Sequence, residues 1–296
     1  LEIFHEMAHG ILRLGIKVSE FEEELVARFA QNLSWIIEID VETELEVLRM
    51  FSQFECVNIF SEGHSNWPSL PDNTHYFLPH LNRILDRHFI PNEADILHLR
   101  IPTSNISEIN FNFSTCTIRL IDVGGQRTYR KKWIHCFEGV AAVLFVASMA
   151  AYDQALEDVD FSVKPILYKN LFSPQPVQKH TSRLRDSAHL FGEMLRNQFL
   201  KSSAFILFLN KKDLFEKKLS VSPIQNFVTG YDKPNEYEPA AEFLKEYFLK
   251  RKSKRDRDRK IYSHFTCATD TQNVDFVFKA TCDIVLQKNL NSSGIQ

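Results

Sequence analysis

The chain runs to 296 residues, 44% of them apolar, enough for about two domains with a sizeable core, and this excludes a disordered, collagen-like or disulfide-stapled miniprotein. Its 35 Lys and Arg against 38 Asp and Glu leave a net charge of −3, so the chain as a whole has no strong pull towards nucleic acid or a lipid surface, and no nucleic-acid partner is expected. The five cysteines, Cys56, Cys116, Cys136, Cys267 and Cys282, are odd in number, contain no CxxC pair and sit mostly in apolar runs; they read as buried free thiols of a reducing compartment.

No stretch approaches the ~18 uninterrupted apolar residues of a membrane-spanning helix. Residues 1–10 carry two Glu and two His where a secretory signal needs an apolar core. The first residue is Leu rather than Met, and an incomplete N-terminus is the expectation. Residues 18–49 place Phe21, Leu25, Phe29, Leu33, Ile36 and Ile37 at spacings of three and four among many Glu, the pattern of an acidic amphipathic helix. Residues 61–74, with Gly63, Pro68 and Pro71, read as a loop, and residues 76–88, with Phe77, Leu81, Ile84 and Leu85, as another helix. Up to about residue 92 the chain reads as all-helical.

After Pro91 the texture changes. Residues 109–113 alternate apolar and polar as a half-buried strand does, and residues 117–123 are a second candidate. Residues 140–147 and 204–209 are short, continuous, β-branched and aromatic runs, expected to be strands covered on both faces; residues 265–268 are a shorter fifth. Helical patterns lie at 130–137, 183–199, 237–250 and 273–290. Such alternation predicts an α/β fold with a mostly parallel sheet. Residues 250–260 hold eight basic and two acidic residues and read as a solvated helix end or a partner-binding patch.

Ligands of an open parallel sheet bind at the carboxyl ends of its strands. After 117–121 comes Asp122-Val123-Gly124-Gly125-Gln126-Arg127. A carboxylate there suits hydrated Mg²⁺, the glycines let a backbone N–H approach an anionic oxygen, and Gln126 can orient a water; a polar turn is the bland alternative. After 204–209 comes Asn210-Lys211-Lys212-Asp213. A fixed carboxylate accepting two donors from a purine edge, with a Lys stem over the ring, demands guanine over adenine. The small residues of Thr266-Cys267-Ala268-Thr269 let a backbone N–H reach the base oxygen.

In this order, and joined by Arg130-Lys131-Lys132-Trp133-Ile134-His135-Cys136-Phe137-Glu138 and by Asp270-Thr271, these strings resemble the α subunits of heterotrimeric G proteins from about Tyr76 to the C-terminus. The resemblance implies a Ras-like P-loop GTPase fold with an inserted all-helical domain. Residues 1–17 would be a remnant of the first GTPase-domain helix, 18–92 a shortened helical domain and 93–296 the GTPase domain. It implies GTP hydrolysis with Mg²⁺. Within Asp95-Ile96-Leu97-His98-Leu99-Arg100-Ile101-Pro102-Thr103, Arg100 would be the built-in arginine finger and Thr103 a Mg²⁺ ligand. Asp122 would act on the ion through water, the Gly125 N–H would sense the γ-phosphate, and Gln126 would orient the attacking water. Asn210, Lys211, Asp213, Cys267, Ala268 and Thr269 would hold the base. Arg127, Arg130, Lys131, Lys132 and Trp133 would face the βγ dimer or an effector, and Ile295 in the tail an activated receptor, at the cytoplasmic face of the plasma membrane.

Two departures stand out. The family's GxGESGKST phosphate loop occurs nowhere in this chain, and the first strand that precedes it is missing with it. Residues 161–180, with Pro165, Pro174 and Pro176, add roughly twenty residues where a short loop is expected. Beside the GTPase stands a second reading, a nucleotide-free relative that acts only by binding βγ or receptor.

Overall fold

A computed structural model describes residues 1–37, 39–64, 71–101, 103–113, 116–126, 128–154, 182–253 and 259–292. It divides into two compact units, Leu1–Arg100 and Ile101–Gln296. The insertion expected at 161–180, Arg127 and Ile295 lie outside the described residues.

The first unit is helical: α1 Glu2–Leu14, α2 Glu20–Gln31, α3 Ser34–Ile37, α4 Val41–Ser52, α5 Glu55–His64, α6 Thr74–Phe77, α7 Leu81–Ile84 and α8 Glu93–His98. Residues 1–17 contribute α1 to this unit. Phe4, Met7, Ala8 and Ile11 form a fully buried stripe, and Phe4 meets Phe29 and Phe51 with ring centroids 6.1 and 5.3 Å apart. Gly10 is where α5 comes closest, since a Cβ there would run into the Phe60 ring.

The acidic run 18–49 is helical in period but broken twice, each time by a short polar side chain that bonds the local backbone in place of the helix ladder. Asn32 accepts from the Ser34 N–H and hydroxyl at 3.1 and 2.7 Å, and Asp40 caps α4 by accepting from the N–H groups of Glu42 and Thr43. The helix expected over 76–88 is likewise split by a 3₁₀ turn at Leu78–His80, where Pro79 lacks a backbone donor.

The second unit holds two sheets. Strands β1 Ser107–Phe113 and β2 Cys116–Asp122 pair antiparallel, Ser107 opposite Asp122 and Phe113 opposite Cys116. Strands β3 Ala142–Ser148, β4 Ala204–Asn210 and β5 Ile261–Phe265 run parallel in the order β3-β4-β5. The expected mostly parallel sheet is therefore parallel in its second half only. Two residues between β1 and β2 suffice for a hairpin, whereas a parallel pair needs a crossover of a dozen or more.

Central β4 buries Ala204, Phe205, Ile206, Leu207 and Leu209, as a strand covered on both faces must. Strand β3 departs from that expectation: among the described residues it pairs only with β4, and Val146 is 56% exposed. Around β4 pack α9 Arg183–Arg196, α10 Lys212–Leu219, α11 Tyr237–Leu249 and α12 Thr271–Ser292, their core formed by residues such as Phe191, Phe215, Leu244 and Phe248. The fifth strand ends at Phe265 rather than spanning 265–268, which leaves Thr266 to Thr269 as a loop. Residues 130–136 wind as a 3₁₀ helix, Arg130–Cys136. Among the described residues no helix is long and apolar enough to cross a membrane.

Candidate functional site

Parallel pairing brings the carboxyl ends of β4 and β5 side by side, and the loops that follow are bonded to each other. The Asn210 side-chain oxygen Oδ1 accepts from the Ala268 N–H at 3.0 Å and the Thr266 hydroxyl at 3.1 Å. Thr266 donates its N–H to Leu209 at 2.9 Å and accepts at its own carbonyl from the Lys212 N–H at 3.1 Å. The Cys267 N–H donates to the Asn273 side chain at 2.9 Å, and its sulfur lies 3.2 Å from the Thr269 hydroxyl. Thr266 and Cys267 are buried while Ala268 and Thr269 are exposed.

Lys211, entering α10, is held at φ 61°, the one non-glycine residue with positive φ among the described residues. That left-handed conformation costs on the order of 1 kcal/mol and marks a turn kept for its geometry. Asp213 sits two residues further, partly exposed in the first turn of α10. The structure thus gathers Asn210, Lys211, Asp213, Cys267, Ala268 and Thr269 on two adjoining loops. It also commits the amides of Cys267 and Ala268 to the side chains of Asn273 and Asn210, in the loop whose small residues are expected to let a backbone N–H reach a base oxygen.

A second cluster follows β2. The Thr103 hydroxyl donates to Asp122 at 3.3 Å, both residues accessible to solvent. A hydroxyl and a carboxylate so close are hard oxygen donors that suit Mg²⁺, which takes few protein ligands and fills its octahedron with water and phosphate oxygens. No group of three or more His, Cys, Asp or Glu gathers as a metal cage among the described residues.

Buried Gly124 lies against the backbone of Thr103, and a Cβ there would run into the Thr103 carbonyl. Its own carbonyl accepts from the Trp133 indole N–H at 3.0 Å. The next carbonyl, of Gly125, accepts from Arg130 Nε at 3.1 Å, and the same guanidinium pairs with Asp186 of α9 at 3.0 Å. Nothing crowds the Cα of Gly125, and Gln126 is exposed beside it. Lys131 and Lys132 point outward, whereas Trp133, expected on a partner-facing surface, is buried and spends its donor on Gly124. Arg100, the last residue of the first unit, is exposed two residues beyond α8.

Asp186 and Asn273 are structural members of these clusters that sequence reasoning did not single out. Asp186 looked like any acidic residue in a helix's first turn, and only the fold sets it against Arg130, 56 positions upstream. Next to this cluster, after β3, Lys218 donates to the Ala150 carbonyl at 3.0 Å and to Asp153 at 2.5 Å. Burial pushes the Asp153 carboxyl up against the pull of that ammonium.

The profile of the G-protein alpha subunit family matches residues 13–285. A guanine nucleotide-binding protein alpha-5 subunit from Caenorhabditis briggsae is 37% identical over 314 aligned positions, which take in 100% of this chain and 80% of the relative. The alpha-5 subunit from Caenorhabditis elegans is 35% identical over 311 positions, with the same coverage of both chains.

Proposed function

The chain belongs to the G-protein alpha-subunit family, and on that premise we propose that it is a GTP-binding and GTP-hydrolysing switch that couples an activated receptor to an effector and pairs with a βγ dimer when GDP is bound. The observation that carries this reading is the joined pair of loops after β4 and β5, where Asn210, Ala268 and Thr266 are bonded together next to Lys211 and Asp213. A scaffold that bound only proteins would have no use for a base-reading carboxylate just past a strained turn.

In the proposed site Asp213 accepts from the guanine edge while the Lys211 stem covers the ring. At the other end a water attacks the γ-phosphorus, the bond from that phosphorus to the β-phosphate oxygen breaks, and GDP and inorganic phosphate leave. Gln126 orients the water, Arg100 neutralises charge on the γ-oxygens in the transition state, and the Gly125 N–H reads the γ-phosphate. Thr103 and Asp122 would hold Mg²⁺, which when bound neutralises phosphate oxygens. The Arg130 bridge from Gly125 to Asp186 and the Trp133 bond to Gly124 would couple the phosphate-reading loop to the outward residues Lys131 and Lys132, the surface proposed to meet βγ and, in the GTP state, the effector. The protein would work at the cytoplasmic face of the plasma membrane, held there through its partners.

Titration of the protein, expressed from its complete coding sequence, with a fluorescent GTP analogue and competition by ATP test the proposal. Saturable binding displaced by GTP and not by ATP supports it. Absence of binding, with retained capture of βγ, would replace it by the nucleotide-free reading.

A further inference from the structure

Helix α8 leads directly to Arg100, yet it is not held by apolar packing. Its buried residue is Asp95, while Ile96 and Leu97 are 61% and 54% exposed. Asp95 is 4% exposed and collects four donors. Arg83 gives it two guanidinium nitrogens at 2.9 and 2.6 Å, Tyr76 its hydroxyl at 2.8 Å and Asn92 its N–H at 2.8 Å. Capping a six-residue helix needs far less, and the Asn92 side chain already caps it by accepting from the Asp95 N–H at 2.9 Å. At the other end of α8 the His98 ring lies flat on Tyr76, centroids 3.8 Å apart and planes within 8°, and the His98 carbonyl accepts from Asn73 at 3.0 Å. Tyr76 thus touches both ends of the helix, and Leu99 alone separates this clamp from Arg100.

A polar clamp fixes direction as well as proximity, because a bidentate guanidinium–carboxylate pair has one geometry where apolar packing tolerates several. We propose that Asp95, acting through Arg83 and Tyr76, is a positioning residue that sets where Arg100 is presented for hydrolysis; this rests on the reading of Arg100 as the group that stabilises the transition state. The clamp replaces the freedom of a short solvent-exposed helix with one defined exit for the chain.

Single-turnover GTP hydrolysis and GTP-analogue affinity, measured on the protein expressed from its complete coding sequence, test this in a double-mutant cycle. Asp95→Asn is expected to slow hydrolysis about ten- to a hundredfold, the loss that a misplaced catalytic group brings, with affinity unchanged. Arg100→Ala is expected to slow it by ~10³, and adding Asp95→Asn to that variant to cost nothing more. Tyr76→Phe keeps the ring on His98 and removes one donor, with an expected slowing on the order of threefold that also vanishes in the Arg100→Ala background; it decides the matter if Asp95→Asn does not fold. Slowing by the same factor with and without Arg100, or wild-type rates in both Asp95→Asn and Tyr76→Phe, would overturn the proposal. A wild-type protein that hydrolyses no GTP would instead refute the reading of Arg100, and the positioning role with it, before any substitution is made.

Discussion

The two loop clusters of the second unit are built to different standards of rigidity. After β4 and β5, hydrogen bonds of 2.9 to 3.1 Å join Asn210, Lys212, Thr266, Cys267 and Ala268 to one another and to Leu209 and Asn273, and they grow out of a strand buried along most of its length. After β2, Thr103 and Asp122 meet at 3.3 Å, and Gly125 and Gln126 lie exposed. Side-chain latches from a 3₁₀ segment, Trp133 and Arg130, hold the glycines instead of strand pairing. A loop that selects one base gains from a single stiff shape. In the proposed switch, a loop that must differ between GTP and GDP would need two shapes of similar free energy, which latches that can be exchanged would allow.

The contrast breaks most severely at its stiff end. Asn210→Ala would leave the Ala268 N–H and the Thr266 hydroxyl without their acceptor, and guanine-nucleotide affinity is expected to fall about a hundredfold; equilibrium titration checks it, and an unchanged affinity would remove this loop pairing from the site. At the adjustable end, Gly124→Ala sets a methyl group against the Thr103 carbonyl. Hydrolysis is expected to slow by about tenfold or more with little change in affinity, read by phosphate release beside nucleotide titration.

Smaller still is the latch. Arg130→Ala breaks the bond to Gly125 and the pair with Asp186, whose side chains are 25% and 18% exposed. A cycle with Asp186→Ala should return a coupling of about 0.5–1 kcal/mol in the stability of the GTP-bound form, and strict additivity would mean that the pair holds nothing.

A pH effect belongs to the first unit. Hydrogen bonds from Arg83 hold the Asp95 carboxyl far below the usual carboxylate range despite its burial. Burial also works against the Glu22 charge, but bonds from Ser19 and from the backbone of Glu55 and Cys56 outweigh it and keep that carboxyl low as well. A group whose folded value is depressed adds stability above its unfolded value, about 3.9 for Asp and 4.3 for Glu, and the contribution disappears as pH falls towards the folded value. Thermal unfolding between about pH 5 and 2 should therefore lose stability more steeply in the wild type than in Asp95→Asn, and parallel curves would contradict this.

How much of this was legible depended on whether the deciding contact was local. The run 204–209 announced β4 to within one residue of Ala204–Asn210, because a strand covered on both faces must be apolar throughout. Asn210 and Ala268 could be placed together from chain order, since parallel strands put their following loops side by side. The antiparallel pairing of β1 and β2 was missed although the two-residue connection implies it. The partners of α1 were not legible because its stripe of Phe4, Met7 and Ile11 fits any amphipathic helix, and only contact with Phe29, Phe51 and Phe60 decides them. Asp186 and the Asp95 clamp escaped for a related reason. An acidic residue near the start of a helix carries no sign of which distant arginine it will meet.

The most direct test of the central claim is release of inorganic phosphate from GTP by the protein expressed from its complete coding sequence, beside its Gln126→Leu variant. A guanine-nucleotide switch predicts one phosphate per bound GTP in the wild type, with hydrolysis strongly slowed and GTP still bound in the variant. Equal rates for the two proteins, or no phosphate from the wild type at saturating GTP, would contradict it.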